Sequence, residues 1–272
     1  MSATADADAL KQAHRKTWAS GDYPRIAELV TDVGEAVAAR AGINPGDDVL
    51  DVAAGSGNAS IPAALSGAQV IASDLTPELF DAGRRRAADA DVTIEWIAAD
   101  AEDLPFEDAR FDHVLSSLGV QFAPHHEVVA AELVRVCRSG GAITLGNWSA
   151  DGYIGRFWTV MGPYMPPPPA HASPPAAWGR PEHVESLFAP HPVTVRVEQR
   201  TLYFADESAE AFIDMFADLY GPLLGARTKL SADGRWDALR GDLIALSEEM
   251  NIATDGRFRV PSDYVVIHVR KA

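Results

Sequence analysis

An acid stands four residues before the first of two close glycines in D-V-A-A-G-S-G-N, residues 51–58, a spacing that suits a charged ligand. Gly55 and Gly57 permit backbone conformations closed to other residues and let a ligand approach the main chain. Exposed N–H groups at the start of a following helix would attract an anion, either the carboxylate of an amino-acid tail or a pyrophosphate. The dinucleotide fingerprint G-x-G-x-x-G wants a third glycine where this chain has Ser60. Asp51 in turn suits an ammonium, which an amino-acid tail carries and a pyrophosphate lacks. The charge pattern therefore favours S-adenosylmethionine over NAD.

Other residue types point to chemistry further along. Asp74 and Asp100 each end an apolar stretch that reads as a strand, so three acids, with Asp51, stand at three strand ends. A carboxylate is apt for accepting two hydroxyl hydrogen bonds at once. His125 and His126 are candidate general bases, with Gln121 as a polar positioner. Aromatic residues crowd the second half of the chain, among them Trp148, Phe157, Trp158, Tyr164, Trp178, Phe204, Phe212, Phe216 and Tyr220. They suit the walls of a pocket for a mostly apolar small molecule, and Trp148, Phe157 and Trp158 are favoured because they follow a strand's carboxyl end.

The elements that must position these residues are legible from periodicity. Apolar residues at helical spacing over 25–40, closed by Gly42, predict one amphipathic helix before the first strand. Strands are predicted over 47–54, 69–74, 92–100, 111–120 and 142–148, with helices from 61, from about 77 and over 127–137. Cys137 reads as the buried face of that last helix, and 139–141 as its end. Strands alternating with helices imply a parallel sheet whose ligands lie beyond the strands' carboxyl ends. After a proline-rich connector at 165–175, segments 193–205 and 258–271 alternate as a closing antiparallel pair, with Pro261 tolerated at a strand start or edge.

The chain has 272 residues, 47% of them hydrophobic and 23% charged, an ordinary globular mix. Its formal charge of −16 repels phosphate backbones, so nucleic acid is not the expected substrate. One cysteine excludes an internal disulfide. Acids stand where a signal peptide needs bases, and no apolar run approaches the ~18 residues of a membrane span, so a cytoplasmic location is expected, with no membrane partner.

With these motifs in view, the chain resembles the class I S-adenosylmethionine-dependent methyltransferases, of the small-molecule type that includes the ubiquinone and menaquinone biosynthesis enzymes. The likeness runs over about 18–148. It implies a Rossmann-like, doubly wound α/β fold: a seven-stranded, mostly parallel sheet with an antiparallel last strand and a helical C-terminal insert. Residues 1–150 would form the cofactor-binding unit with an N-terminal helical lid, and 151–272 the acceptor pocket and the closing strands of the same sheet. By the same resemblance, Asp51, Ala53 and Gly55 line the methionine tail, Asp74 takes the ribose hydroxyls and Leu75 lies against the adenine. Asp100 takes the adenine amine, the Ala101 N–H reaches the ring, and Ser117 flanks the cofactor. A W-x-x-G-D-Y pattern, Trp18 to Tyr23, implies a tyrosine on the cofactor carboxylate.

The expected activity is methyl transfer from S-adenosylmethionine, leaving S-adenosylhomocysteine, to a small-molecule acceptor by in-line displacement, with no metal. Because the sulfonium methyl is already activated, positioning and exclusion of water matter most. Two other readings stand beside it: a catalytically silent S-adenosylmethionine-binding partner or sensor, and an NAD-dependent oxidoreductase. A homodimer is compatible with the sequence.

Overall fold

A computed structural model describes residues 3–272; residues 1 and 2 of the acidic opening segment lie outside it. Seven strands form one sheet: β1 (Asp48–Val52), β2 (Gln69–Asp74), β3 (Ile94–Ala98), β4 (Phe111–Ser117), β5 (Cys137–Trp148), β6 (Val193–Asp206) and β7 (Phe258–Lys271), in the order β3-β2-β1-β4-β5-β7-β6. Every neighbouring pair through β5 is parallel; β7 runs antiparallel to both β5 and β6. The order reverses between β1 and β4, which opens the crevice where ligands of such sheets bind.

Alternation along the strands feeds two layers. Val265, Ile267 and Val269 of β7 join Leu50, Val52 and Val114 in one apolar cluster, under helices α6 (His126–Val136) and α8 (Pro181–Phe188). The opposite face takes Val49, Val70, Ala72 and Leu115 against α3 (Thr31–Ala41), α4 (Ser60–Leu65) and the Ala87 end of α5 (Phe80–Asp89). The insert falls in two parts. Helix α7 (Tyr153–Met161) lies with α8 between β5 and β6, while α9 (Ala209–Leu219), α10 (Gly221–Ala232) and α11 (Trp236–Met250) lie between β6 and β7. Together with α7 they build the largest aromatic core, around Tyr153, Phe157, Phe212 and Phe216. No helix among the described residues is long and apolar enough to cross a membrane.

Two expectations change. Among the described residues three helices precede β1, where the spacing predicts one: α1 (Ala3–Trp18), α2 (Tyr23–Glu28) and α3. The apolar stripe continues through α2 and α3, but the helix breaks at Leu29 and Val30, where Val30 takes φ −124° and ψ 20°. The Ala27 carbonyl just before the break accepts a 2.8 Å hydrogen bond from Asn58 Nδ2, so a tertiary contact competes with the helix ladder there. Cys137 is buried, but as the first residue of β5 rather than on a helix. Residues 138–141 bulge between the Phe111–Cys137 and His113–Ala142 pairs, with Gly140 at φ 73° supplying the left-handed turn. Pro261 sits where β7 pairs only with β6, opposite Tyr203; the ladder to β5 begins at Tyr264, so the missing N–H costs no bond on that side.

Candidate functional site

The loop after β1 owes its shape to backbone constraints. Ala53 takes φ 55°, a left-handed conformation unusual for a residue with a Cβ, followed by Gly55 at 56° and Gly57 at 89°. Gly119, beyond β4, packs against this bend so closely that a Cβ there would stand 2.3 Å from the Ala53 carbonyl oxygen. A Cβ on Gly55 would meet the Tyr23 ring at 3.1 Å. Arg86 of α5 fixes the loop from behind, donating to the Ser56 carbonyl at 2.9 Å and to Asn58 Oδ1 at 2.7 Å.

A cavity of about 750 Å³, its open mouth included, lies beyond β1, β2 and β4, covered by α1. Of the residues expected to hold a cofactor, Trp18, Tyr23, Ala53, Gly55, Asp74, Leu75, Asp100 and Ala101 all line it. Two do not. Ser117 lies just short of the rim, its buried hydroxyl unpartnered, and β4 reaches the cavity through Leu118 (φ 62°) and Gly119 instead. Asp51 lies beneath the loop, 1% exposed. The cavity also bypasses the start of α4, where Gly57 N–H donates to Ala54 and Ile61 N–H to Gly57. Those donors are spent within the loop rather than presented to an anion.

The three acids occupy different electrostatic settings. Burial pushes the Asp51 carboxyl up to about 7; its Oδ2 accepts from Ser60 Oγ at 2.5 Å while Oδ1 has no partner. Ser60, which breaks the dinucleotide fingerprint, therefore has a structural reason to be serine. Burial also raises Asp74, against the opposing pull of the Gly55 and Thr76 N–H groups, which donate to its two oxygens at 2.8 and 2.7 Å. A carboxylate has about four lone-pair sites, so Asp74 keeps acceptor capacity toward the cavity. Asp100 meets Lys11 Nζ at 2.6 Å, and the same ammonium lies 2.7 Å from Glu102.

Lys11, His14 and Trp18 share one face of α1 and all line the cavity, with Lys11 at the Asp100 end and Trp18 among the aromatic residues at the other. Lys11 and His14 were not anticipated from the sequence, although the spacing 11, 14, 18 was visible in it. The segment after α1 is tied to the insert: Asp22 N–H donates to the Leu219 carbonyl at 3.1 Å, and Gly21 bridges Tyr220.

A second cavity of about 510 Å³ opens beside the first and shares Trp18, Tyr23, Leu118 and Phe122 with it. Trp148, Phe157 and Trp158 line it, as the sequence suggested, joined by Phe204, Phe216 and Tyr220. Trp18 is the hinge of the shared wall, its ring 4.5 Å from Phe122, 5.6 Å from Tyr23 and 5.9 Å from Tyr220. Trp158 Nε1 donates to the Tyr220 hydroxyl at 3.3 Å. Phe122, absent from the sequence candidates, lies in the 3₁₀ turn after β4.

Three of the polar candidates are used elsewhere, and the structure corrects them. Gln121 is fully buried, its amide spent as a brace: Nε2 donates to Leu118 O at 2.8 Å and Oε1 accepts from Trp148 N at 3.2 Å. His126 is buried with Nδ1 3.0 Å from His183 Nε2 and Nε2 3.3 Å from Gln121 O, and burial lowers it to about 4. His125 directs Nδ1 at Glu102, 3.0 Å away, and stacks on His171. None of the three lines either cavity. Tyr164, Trp178 and Phe212 also stand outside the aromatic cavity, Trp178 and Phe212 as core residues and Tyr164 bonded to Asp242.

Comparison with known proteins bears on the family and the fold. A family model described as a methyltransferase domain matches residues 50–145, from β1 through most of β5. An uncharacterized protein of Mycobacterium tuberculosis, Rv1403c, is 44% identical over 229 residues, 82% of each chain. A demethylmenaquinone methyltransferase of Renibacterium salmoninarum is 38% identical over 145 residues, 53% of this chain and 56% of that one. Among solved structures, the YcgJ protein of Bacillus subtilis superposes with a TM-score of 0.63 at 15% identity, covering 88% of this chain and 98% of its own. A putative methyltransferase of Bacillus halodurans gives 0.60 at 19% identity, covering 87% and 98%. The chain belongs to the class I S-adenosylmethionine-dependent methyltransferases, in one family with the mycobacterial protein.

Proposed function

We propose that the chain moves the methyl group of S-adenosylmethionine to a small, mostly apolar molecule held in the aromatic chamber. The observation that supports this reading is the wall of Trp18, Tyr23, Leu118 and Phe122 common to both cavities, across which a cofactor in one would adjoin an acceptor in the other.

The residues present fit the cofactor by their chemistry. The unpartnered Asp51 Oδ1 answers an ammonium, the Tyr23 hydroxyl a carboxylate, and the spare lone pairs of Asp74 a ribose diol. Leu75, Ala99 and Ala101 offer an apolar slot for the adenine, with Asp100 at its edge for the exocyclic amine. When bound, the sulfonium supplies an activated methyl group. The chain then has to align the acceptor and keep water out, work suited to the rings of Trp148, Phe157 and Trp158. Attack by an anion on a sulfonium disperses charge, so carboxylates at the methyl would favour the ground state. Asp74 lines the other cavity, Asp51 lies beneath its loop, and the chamber lining contains no acid.

The test is calorimetry with S-adenosylmethionine, followed by an acceptor panel read by mass shift. Micromolar binding and a gain of one methyl on an apolar acceptor are expected. Absence of cofactor binding in the purified protein would overturn the proposal.

A further inference from the structure

The chamber narrows the acceptor further, on the premise of the methyl-transfer reading above. Nine of its 13 lining residues are aromatic, and the other four are Ile26, Val30, Leu118 and Ile154. Nothing in that lining can take up a proton near neutral pH. His126 is locked between His183 and Gln121, His125 is held by Glu102, and His14 lines only the cofactor cavity, one turn from Trp18 toward Lys11. The two phenols, Tyr23 and Tyr220, are raised by burial, so they stay protonated and act as donors.

We infer that the acceptor is a flat aromatic molecule whose nucleophilic oxygen or sulfur ionises by itself near neutral pH, and that the chain contributes no general base. The aromatic walls match a ring body. A cationic group would be drawn to such rings but would face the neighbouring sulfonium across the shared wall. A compact, fully charged anion such as a carboxylate would lose its water with few donors in return. A charge spread over a ring loses less, and the Tyr220 hydroxyl, whose oxygen accepts from Trp158 and whose proton is free, can meet it. The proton leaves to solvent before the acceptor enters. The heteroatom lone pair then bonds to the methyl carbon as the carbon–sulfur bond breaks, and its electron pair remains on the sulfur, which becomes a neutral thioether.

The test uses the wild-type chain and three probes of increasing acidity: 2-naphthol, 6-cyano-2-naphthol and naphthalene-2-thiol. Equilibrium dialysis without cofactor should retain all three in preference to tetramethylammonium and acetate. With S-adenosylmethionine added, kcat/KM for methyl transfer should rise with pH along a limb that moves about tenfold in proton concentration for each tenfold change in probe acidity; naphthol and thiol arms separate oxygen from sulfur acceptors. A limb fixed at one pH for every probe would show a base in the protein and overturn the inference. So would preference for tetramethylammonium, or retention of the probes without transfer by cofactor-bound protein. Calorimetry on the cofactor alone keeps the two ideas apart: if it fails, methyl transfer falls, while dialysis still decides whether the chamber selects flat rings.

Discussion

At the scale of single residues, Asp51 and Asp74 make the sharpest claims. Asp51 titrates near 7 in the folded chain against an ordinary value near 4, so between those values the folded state holds a proton that the unfolded chain releases. Rising pH through that window therefore costs the free protein stability. The Asp51→Asn variant should gain thermal stability relative to wild type as pH is raised from 5 to 8, and should bind S-adenosylmethionine more weakly. Wild-type binding at pH 6 to 7 should release protons, seen as calorimetric heats that vary with the buffer; buffer-independent heats would remove Asp51 as the ammonium's partner. Asp74→Ala removes a charged acceptor and leaves the Gly55 and Thr76 donors without one. Loss of hydrogen bonds to a charged group, about 1.5–3 kcal/mol, corresponds to roughly a ten- to hundredfold weaker affinity by calorimetry, and unchanged affinity would end its ribose role.

At the scale of elements, the loops and α1 border the larger cavity. Gly119→Ala forces a Cβ onto the Ala53 carbonyl, and overpacking of that kind costs about 1–3 kcal/mol. A lower thermal midpoint with weakened cofactor binding is expected, whereas a wild-type midpoint would mean the two loops are free to part. Lys11 holds α1 to Asp100 and Glu102, and Arg15 pairs with Glu78 nearby. In Lys11→Met, cofactor association and release should both accelerate several-fold in stopped-flow fluorescence, and identical rates would show that α1 does not gate the cavity. Strand positions and the acid at each strand end were legible because buried parallel strands read as short apolar runs closed by Gly or Asp. The break at Val30 was not, because it depends on Asn58, which is remote in sequence and reaches the Ala27 carbonyl only after folding. His126 read as a base and Gln121 as a polar positioner for a similar reason: their types suit those tasks, but burial and partners from α8 and β5 are invisible in a linear reading.

At the scale of the whole molecule, two histidines couple stability to acidity. His126 and His268 are both lowered to about 4, mainly by burial, so the folded chain resists protons that the unfolded chain takes up below about 6.5. Their contribution is complete above that value and is lost as pH falls toward 4, partly offset by Asp51, whose protonation has the opposite sign. Denaturant midpoints at pH 6.5 and 4.5 should differ less in a His126→Asn, His268→Asn double variant than in wild type; an equal difference would place the acid sensitivity elsewhere. The aromatic composition of the second half announced a chamber, yet which rings face it depended on the packing of α7 and α9, so Phe157 lines it while Phe212 does not.

The place of β7 has a consequence for biosynthesis. It is made after β6 but sits between β6 and β5, contributing ladders to both. On the ribosome, β6 must wait without a partner until the later segment emerges, its long edge open to stray association. Completion of this sheet is thereby postponed until β7 has emerged, and until then the nascent polypeptide carries an open strand edge that the folded protein has closed.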